Sequence, residues 1–394
     1  MQVQVAEEVT LAPWPAPDAS AVPAPVVDPV MAVSLLAARM PAIDVLRGAA
    51  VLAVVVFHGM AYGAPQVEWG SRLGDWLYGL TAWGWLGVNL FFVISGFLIT
   101  GILDDTLSRK NFYQRFYLRR ALRILPAYLA VLALAWATGF VTPNYVAVCV
   151  LFLANMPGLF LRHGYMLYGP LWSLAVEEQF YLLWPAMYRR LRRRGILVLS
   201  IVLLLLCPVL RALAFDHRLH LGDPLSKMWM IADNLAMGAV LSVLLRLPGV
   251  TLRQIVTLGW GLFLAGTAGV AALFAAHRMG TGDVLRNSVG LSCFLLLCGS
   301  VVVLMLSLFR ERRPPGWLRL FVFFGDISYG LYLVHQLLFQ LYDRAFGLSF
   351  RTDWRLLAVR FAVAGGAAVA VAVASKRWFE DPILRMKSRI PAAR

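Results

Sequence analysis

Arg47 and His58 stand eleven residues apart in IDVLRGAAVLAVVVFHGM (43–60), where Asp44 is the only other ionisable side chain. On a helix turning ~100° per residue the two lie within about 20° of each other, with about 16 Å of rise between them. Asp44 falls on nearly the same face, so one polar stripe runs from the start of the helix to His58. A second apolar stretch, LWSLAVEEQFYLLWP (171–185), carries Glu177 and Glu178. Ser173, Glu177, Tyr181 and Trp184 follow i, i+4, i+8, i+11 spacing and share a face, while Glu178 points about 100° away, toward another helix or the interface. Asp233 in MIADNLAMG, Asp326, and His335 in SYGLYLVHQ complete the short set of ionisable groups singled out within apolar runs. Carboxylates and imidazoles converging on one cavity suit proton transfer. The plainer alternative is that they pair with one another or with backbone inside a helix bundle, and it applies most readily to Glu178, Asp233 and His335.

A basic stretch of different character is NFYQRFYLRRALRILPAY (111–128). Arg115, Arg119 and Arg123 recur at i, i+4, i+8 with Arg120 beside them, and Tyr113, Phe116 and Tyr117 are interleaved. Forked guanidinium groups grip phosphates, and the aromatic rings offer a surface for a purine. A topology signal or lipid-headgroup contact would account for part of the same pattern.

Groups like these need helices to hold them. The 394-residue chain is 60% hydrophobic and 14% charged, with mean hydropathy +0.72, against about 45–50% and about 25% in an ordinary soluble domain. Apolar runs of helix-spanning length recur from about residue 43 to 375. They predict an all-α, polytopic transmembrane bundle of about ten helices, near 43–63, 83–103, 124–141, 171–188, 195–214, 226–247, 254–275, 285–309, 321–342 and 354–375. The net charge of +15 does not point to nucleic acid, because it is concentrated in alternate connections: 109–123, 189–194, 310–313 and 376–389. The intervening connections hold fewer basic residues, which is the positive-inside asymmetry and puts both termini in the cytoplasm. Residues 145–161 would break that parity as a full crossing and run into Asn155, Pro157 and Gly158, so they are expected to form a short re-entrant or interfacial helix. On this topology His58, Glu177, Asp233 and His335 reach similar depth in the outer halves of four helices. Residues 1–38, rich in Pro and Ala and without Lys or Arg, lack the pattern of a signal peptide and are expected to be a disordered cytoplasmic tail. Residues 39–386 form the membrane domain, and 387–394 a short basic tail. Cys149, Cys207, Cys293 and Cys298 lie inside apolar runs without metal-ligand spacing, so neither a metal site nor a disulfide framework is expected.

The stretches RMPAIDVLRGAAVLAVVVFHGM, GVNLFFVISGFLIT, FYLRRALRILPAY, LWSLAVEEQFYLLWP, FGDISYGLYLVHQ and WFEDPILR occur in this order over about 39–386. Together they resemble acyltransferase family 3, the bacterial multi-pass membrane O-acyltransferases. Arg47 and His58 meet the family's Arg-x10-His spacing. Ser173, Leu174, Glu177, Phe180 and Tyr181 meet its Ser-Leu-x-x-Glu-x-x-Phe-Tyr pattern. The resemblance implies a cytoplasmic acyl-CoA co-substrate, usually acetyl-CoA, no permanently bound cofactor, and a hydroxyl acceptor on a cell-surface glycan or glycolipid. It further implies a place in the bacterial cytoplasmic (inner) membrane, in contact with its lipid. On that footing Arg47, Arg115, Arg119, Arg120 and Arg123 are assigned to the donor, His58 to general-base or acyl-carrying chemistry, and Glu177 to orienting His58. Ser173, Tyr181 or Asn89 would serve the oxyanion, with Glu178, Asp233 and His335 in support. One departure concerns Asp233: many members carry Arg two residues before it, where this chain has Ile231. The chain stops soon after its tenth expected span, as a stand-alone membrane unit would. Two other classes compete. A proton-coupled secondary transporter would use the same groups as a relay, but no internal repeat supports it. A scaffold for glycan-assembly enzymes would leave the arginines and histidines without a task.

Overall fold

A computed structural model describes residues 40–62, 72–161, 168–216, 226–280, 282–309, 314–347 and 353–386. Both expected tails, and the basic residues at 310–313, lie outside them. The regular elements described are helices, as the apolar Leu- and Ala-rich runs require where no water is present to bond the backbone. Seven are long and apolar enough to cross a membrane, or eight if the bent pair Gly316–Asp326 and Ser328–Phe346, angled at 71°, is one span.

The sequence predicts about ten, and the difference has two sources. First, the expected spans at 171–188 and 195–214 form one 46-residue element, α6 (Pro170–Phe215), interrupted at Arg192 by a left-handed backbone (φ 56°). Before the break, Glu177, Trp184 and Tyr188 bond Ser95, Thr100 and Asp104 in turn down α3 (Leu86–Thr106). After it, Arg193 still bonds Asp104, but Cys207 and Arg211 have moved to the start of α7 (Met228–Leu244). Helix α7 lies along α3 in the same sense, with Asn234 bonded to Asn89 and Arg246 beside Asp104. The chain therefore reverses at Arg192 and traverses the bundle twice. Second, the span expected at 226–247 is α7, an apolar helix of 17 residues.

Small residues set the closest contacts. A Cβ on Gly96 would strike Leu235 O, and one on Gly238 would strike Val93 O, so α3 and α7 touch through reciprocal glycines. The same device joins α1 (Pro41–Val56) to α10 (Arg319–Asp326), where Gly48 meets Phe321 O and Gly325 meets Asp44 O. Residues 145–161 do not form a crossing. α5 (Pro143–Val150) has eight residues, about 12 Å of rise against a ~30 Å core. Irregular chain follows, pinned by Asn155, whose amide exchanges bonds with Gln179 and whose carbonyl accepts from Lys227 Nζ at 2.8 Å.

Candidate active site

Helices α1, α3, α4 (Phe112–Ala137), α6 and α11 (Ser328–Phe346) surround a cavity of about 510 Å³, within the ~300–1,000 Å³ of ordinary small-molecule sites. Its lining brings together Arg47, Arg120, Arg123, Ser173, Glu177 and Tyr181, and adds Arg246, Ser95 and Tyr332. Glu177 Oε1 accepts from Ser95 Oγ at 2.8 Å, and the Tyr181 hydroxyl lies 3.3 Å from both Ser95 Oγ and Glu177 Oε2. Arg120 stacks over the Tyr181 ring at 5.1 Å. Arg47 has Asp44, Glu177, Tyr181 and Arg123 as its charged or titratable neighbours. Four guanidinium groups thus share one cavity with Asp44, Asp105 and Glu177, leaving the lining net cationic. Glu178 turns away from it: its Oε1 is buried without a hydrogen bond, near Arg120 and Glu177.

Two members of the basic stripe fall elsewhere. Arg115 and Arg119 are outside the lining, because it is Arg120 and Arg123, at i and i+3, that face inward. The interleaved rings are not in the cavity either. Phe116 is buried in the core, while Tyr113 and Tyr117 stack on each other with centroids 6.4 Å apart.

His58 lies beyond the cavity, and its partner is not Glu177. Its Nδ1 stands 3.0 Å from Val54 O and 3.2 Å from His335 Nε2, and the two rings are 5.0 Å apart. The expected Glu177–His58 pairing is corrected on two physical grounds. Glu177 sits at the level of Arg47, and eleven residues of helix separate that level from His58. The helix also widens into a π turn over Phe57–Ala61, so the regular ~100° step fails at the histidine. Arg360 closes the far side, donating to Gly59 O at 2.7 Å while Asp343 holds its fork at 2.6 and 2.9 Å. Tyr332 joins the two regions. Its hydroxyl is 2.5 Å from Ser173 Oγ at the cavity wall, and its ring is 5.8 Å from that of His335.

Asp233 and Asn89 form a third group, apart from the cavity and the histidine pair, so the ionisable groups expected to converge are divided among three places. Asp233 is paired with Arg211 at 2.7 Å, both side chains being 1% exposed. Asn234 links Asp233 to Asn89 through bonds of 3.0 and 3.0 Å. Arg211 therefore fills the place that Ile231 leaves open. A lone arginine in LLLLCPVLRALAF is itself a signal, and the sequence reading passed over it. Asp326 is 61% exposed and bridges to Lys376 at 3.2 Å.

The structure thus combines an all-helical bundle of membrane-spanning character with a cavity lined by four arginines and three carboxylates, and an imidazole pair beyond it. Residues 40–377 match the family model described as an acyltransferase domain, and the chain belongs to that family, acyltransferase family 3. It is 28% identical over 379 residues to the peptidoglycan O-acetyltransferase OatA of Listeria monocytogenes, covering 87% of this chain and 56% of that protein. It is 30% identical over 336 residues to the Bacillus subtilis protein named "Putative peptidoglycan O-acetyltransferase YrhL", covering 75% of this chain and 48% of that one. The chain spans about half the length of these relatives. No solved structure matches it.

Proposed function

We propose that the protein is an integral-membrane O-acyltransferase that moves an acyl group, acetyl in the first instance, from cytoplasmic acyl-CoA to a hydroxyl of a cell-surface glycan. Its membrane is the bacterial cytoplasmic membrane, with both termini inside, as the charge asymmetry argues. What carries the reading is the cationic cavity that ends, through the Ser173–Tyr332 contact, one ring away from the His58–His335 pair. Arg120, Arg123, Arg246 and Arg47 bind the donor's phosphates in charge-assisted bonds. His58 takes the proton of the acceptor hydroxyl as its oxygen bonds to the thioester carbonyl carbon, and the C–S bond breaks to release CoA. Glu177 holds Ser95 and Tyr181 in place and balances Arg47 and Arg120, a different task from orienting His58. The names of the two relatives favour peptidoglycan as the acceptor class.

Purified protein given radiolabelled acetyl-CoA and soluble peptidoglycan oligosaccharides should release CoA and label the glycan. His58→Ala should abolish both while leaving membrane insertion intact. Full transfer in that variant would overturn the proposal.

A further inference from the structure

His335 is wholly buried in α11, and each of its ring nitrogens has a partner. Nδ1 lies 3.0 Å from Leu331 O, and Nε2 lies 3.2 Å from His58 Nδ1. A carbonyl oxygen only accepts, so Nδ1 carries the proton and Nε2 keeps its lone pair. His58 Nδ1 must then be the donor between the two rings, and it shares its N–H with Val54 O at 3.0 Å. His58 Nε2 is left as the unprotonated nitrogen, the one able to take a proton.

The turn of α11 that carries His335 is bracketed by another side chain. The Tyr168 hydroxyl donates to Leu333 O at 2.5 Å and accepts from Leu337 N at 3.1 Å. Those are the backbone groups that a regular turn pairs at i and i+4, so the hydroxyl bonds the ladder on both sides of His335. The charged and titratable groups facing the pair are few. Arg360 lies 3.5 Å from His58 O with Asp343 holding its charge. The Tyr62 ring is 5.3 Å from His58, and the Tyr332 ring is 5.8 Å from His335. Among the described residues no carboxylate bonds either imidazole.

We propose that His335 is the positioning residue for His58, a neutral imidazole in the place where a carboxylate was expected, with Tyr168 setting the helix turn that aims it. The proposal rests on His58 being the base. In the resting pair His335 fixes which nitrogen of His58 is free. When His58 Nε2 gains the acceptor's proton, the His58–His335 bond becomes charge-assisted and stabilises the imidazolium. The acceptor proton passes to His58 Nε2 and from there to the leaving CoA sulfur, and no proton need leave His335.

The test uses the full chain in lipid nanodiscs and the variants His335→Gln, His335→Leu and Tyr168→Phe. Gln keeps an acceptor for His58 Nδ1–H, and Leu does not. With acetyl-CoA and soluble peptidoglycan oligosaccharides, His335→Leu should lose about 10- to 100-fold in kcat with donor KM unchanged, the worth of a hydrogen bond to a charged group. His335→Gln should recover most of it, and Tyr168→Phe should fall between. A role in packing alone predicts that Gln and Leu are equally impaired, with melting temperature and KM moving together, and that outcome would overturn the proposal. A second readout is independent of turnover. Carbethoxylation of His58 by diethyl pyrocarbonate, followed by mass spectrometry, should slow about 3- to 10-fold in His335→Leu and stay near wild type in His335→Gln. An unchanged rate in the Leu variant refutes the positioning. Turnover indifferent to His58 refutes the assigned function instead.

Discussion

Breaking the Arg211–Asp233 pair should cost more than removing it. Both side chains are 1% exposed, and the ions lie 2.7 Å apart. In Arg211→Met the Asp233 carboxylate keeps only the Asn234 amide, at 3.0 Å, as a direct partner. Loss of one member of a buried pair destabilises by about 3–5 kcal/mol, because the remaining charge is neither solvated nor matched. At roughly 2 °C per kcal/mol for a large chain, that is a fall of about 6–10 °C in melting temperature. Asp233→Leu should behave alike, leaving a buried guanidinium. In the double variant both charges are gone. What stays lost are the bonds from Arg211 Nη1 to Met230 O and from the Asn234 amide to Asp233, about 1 kcal/mol each, so it should melt within about 4 °C of wild type. The assay is thermal unfolding of the three variants in nanodiscs, read by loss of the monodisperse peak. Additive losses in the double variant would refute the reasoning, since they would mean that the two residues stabilise separate contacts rather than each other.

The cavity makes a contrast among arginines that the sequence stripe does not. Arg120→Ala, Arg123→Ala and Arg246→Ala should each raise donor KM about 10-fold or more, while Arg115→Ala and Arg119→Ala should change it by less than about 2-fold; equal effects in kinetics at fixed ionic strength would remove the cavity as the donor site. Gly48→Ala should lower melting temperature sharply, because its Cβ meets the backbone of α10 at Phe321 O, whereas Gly261→Ala, with nothing within 4 Å, should gain up to about 1 kcal/mol from helix propensity.

Periodicity made one face legible. Ser173, Glu177 and Tyr181, placed on a common side by their spacing, do line one cavity, because position around a helix is a local property of the chain. Depth is not local. Which turn of α1 meets which turn of α6 depends on where each helix enters and on irregularities that apolar composition hides. The π turn at Phe57–Ala61 and the reversal at Arg192 are two of these. That is why Glu177 was matched to His58 when it belongs with Ser95 and Arg47. The arginine stripe is divided for a related reason. Arg115, Arg119 and Arg123 share a face by spacing, but the side of α4 that turns inward is fixed by its neighbours, and it carries Arg120 with Arg123. Arg211 is a different case. Its isolation in an apolar run was readable, and its distance from Asp233 in sequence was the only thing concealing the pair.

The boundary between cavity and histidines has its own logic. Ser173 Oγ lies 3.1 Å from Pro170 O and 2.5 Å from the Tyr332 hydroxyl. The serine proton goes to the carbonyl, so Tyr332 donates to Ser173, and both hydroxyls are satisfied without water. Phe91 packs edge-on against Tyr332 at 5.8 Å on the cavity side. Under the proposed function the donor cavity and the histidine pair must lie close enough for group transfer, and Tyr332, tied at its tip to Ser173 and packed against Phe91, is a side chain whose contacts reach both.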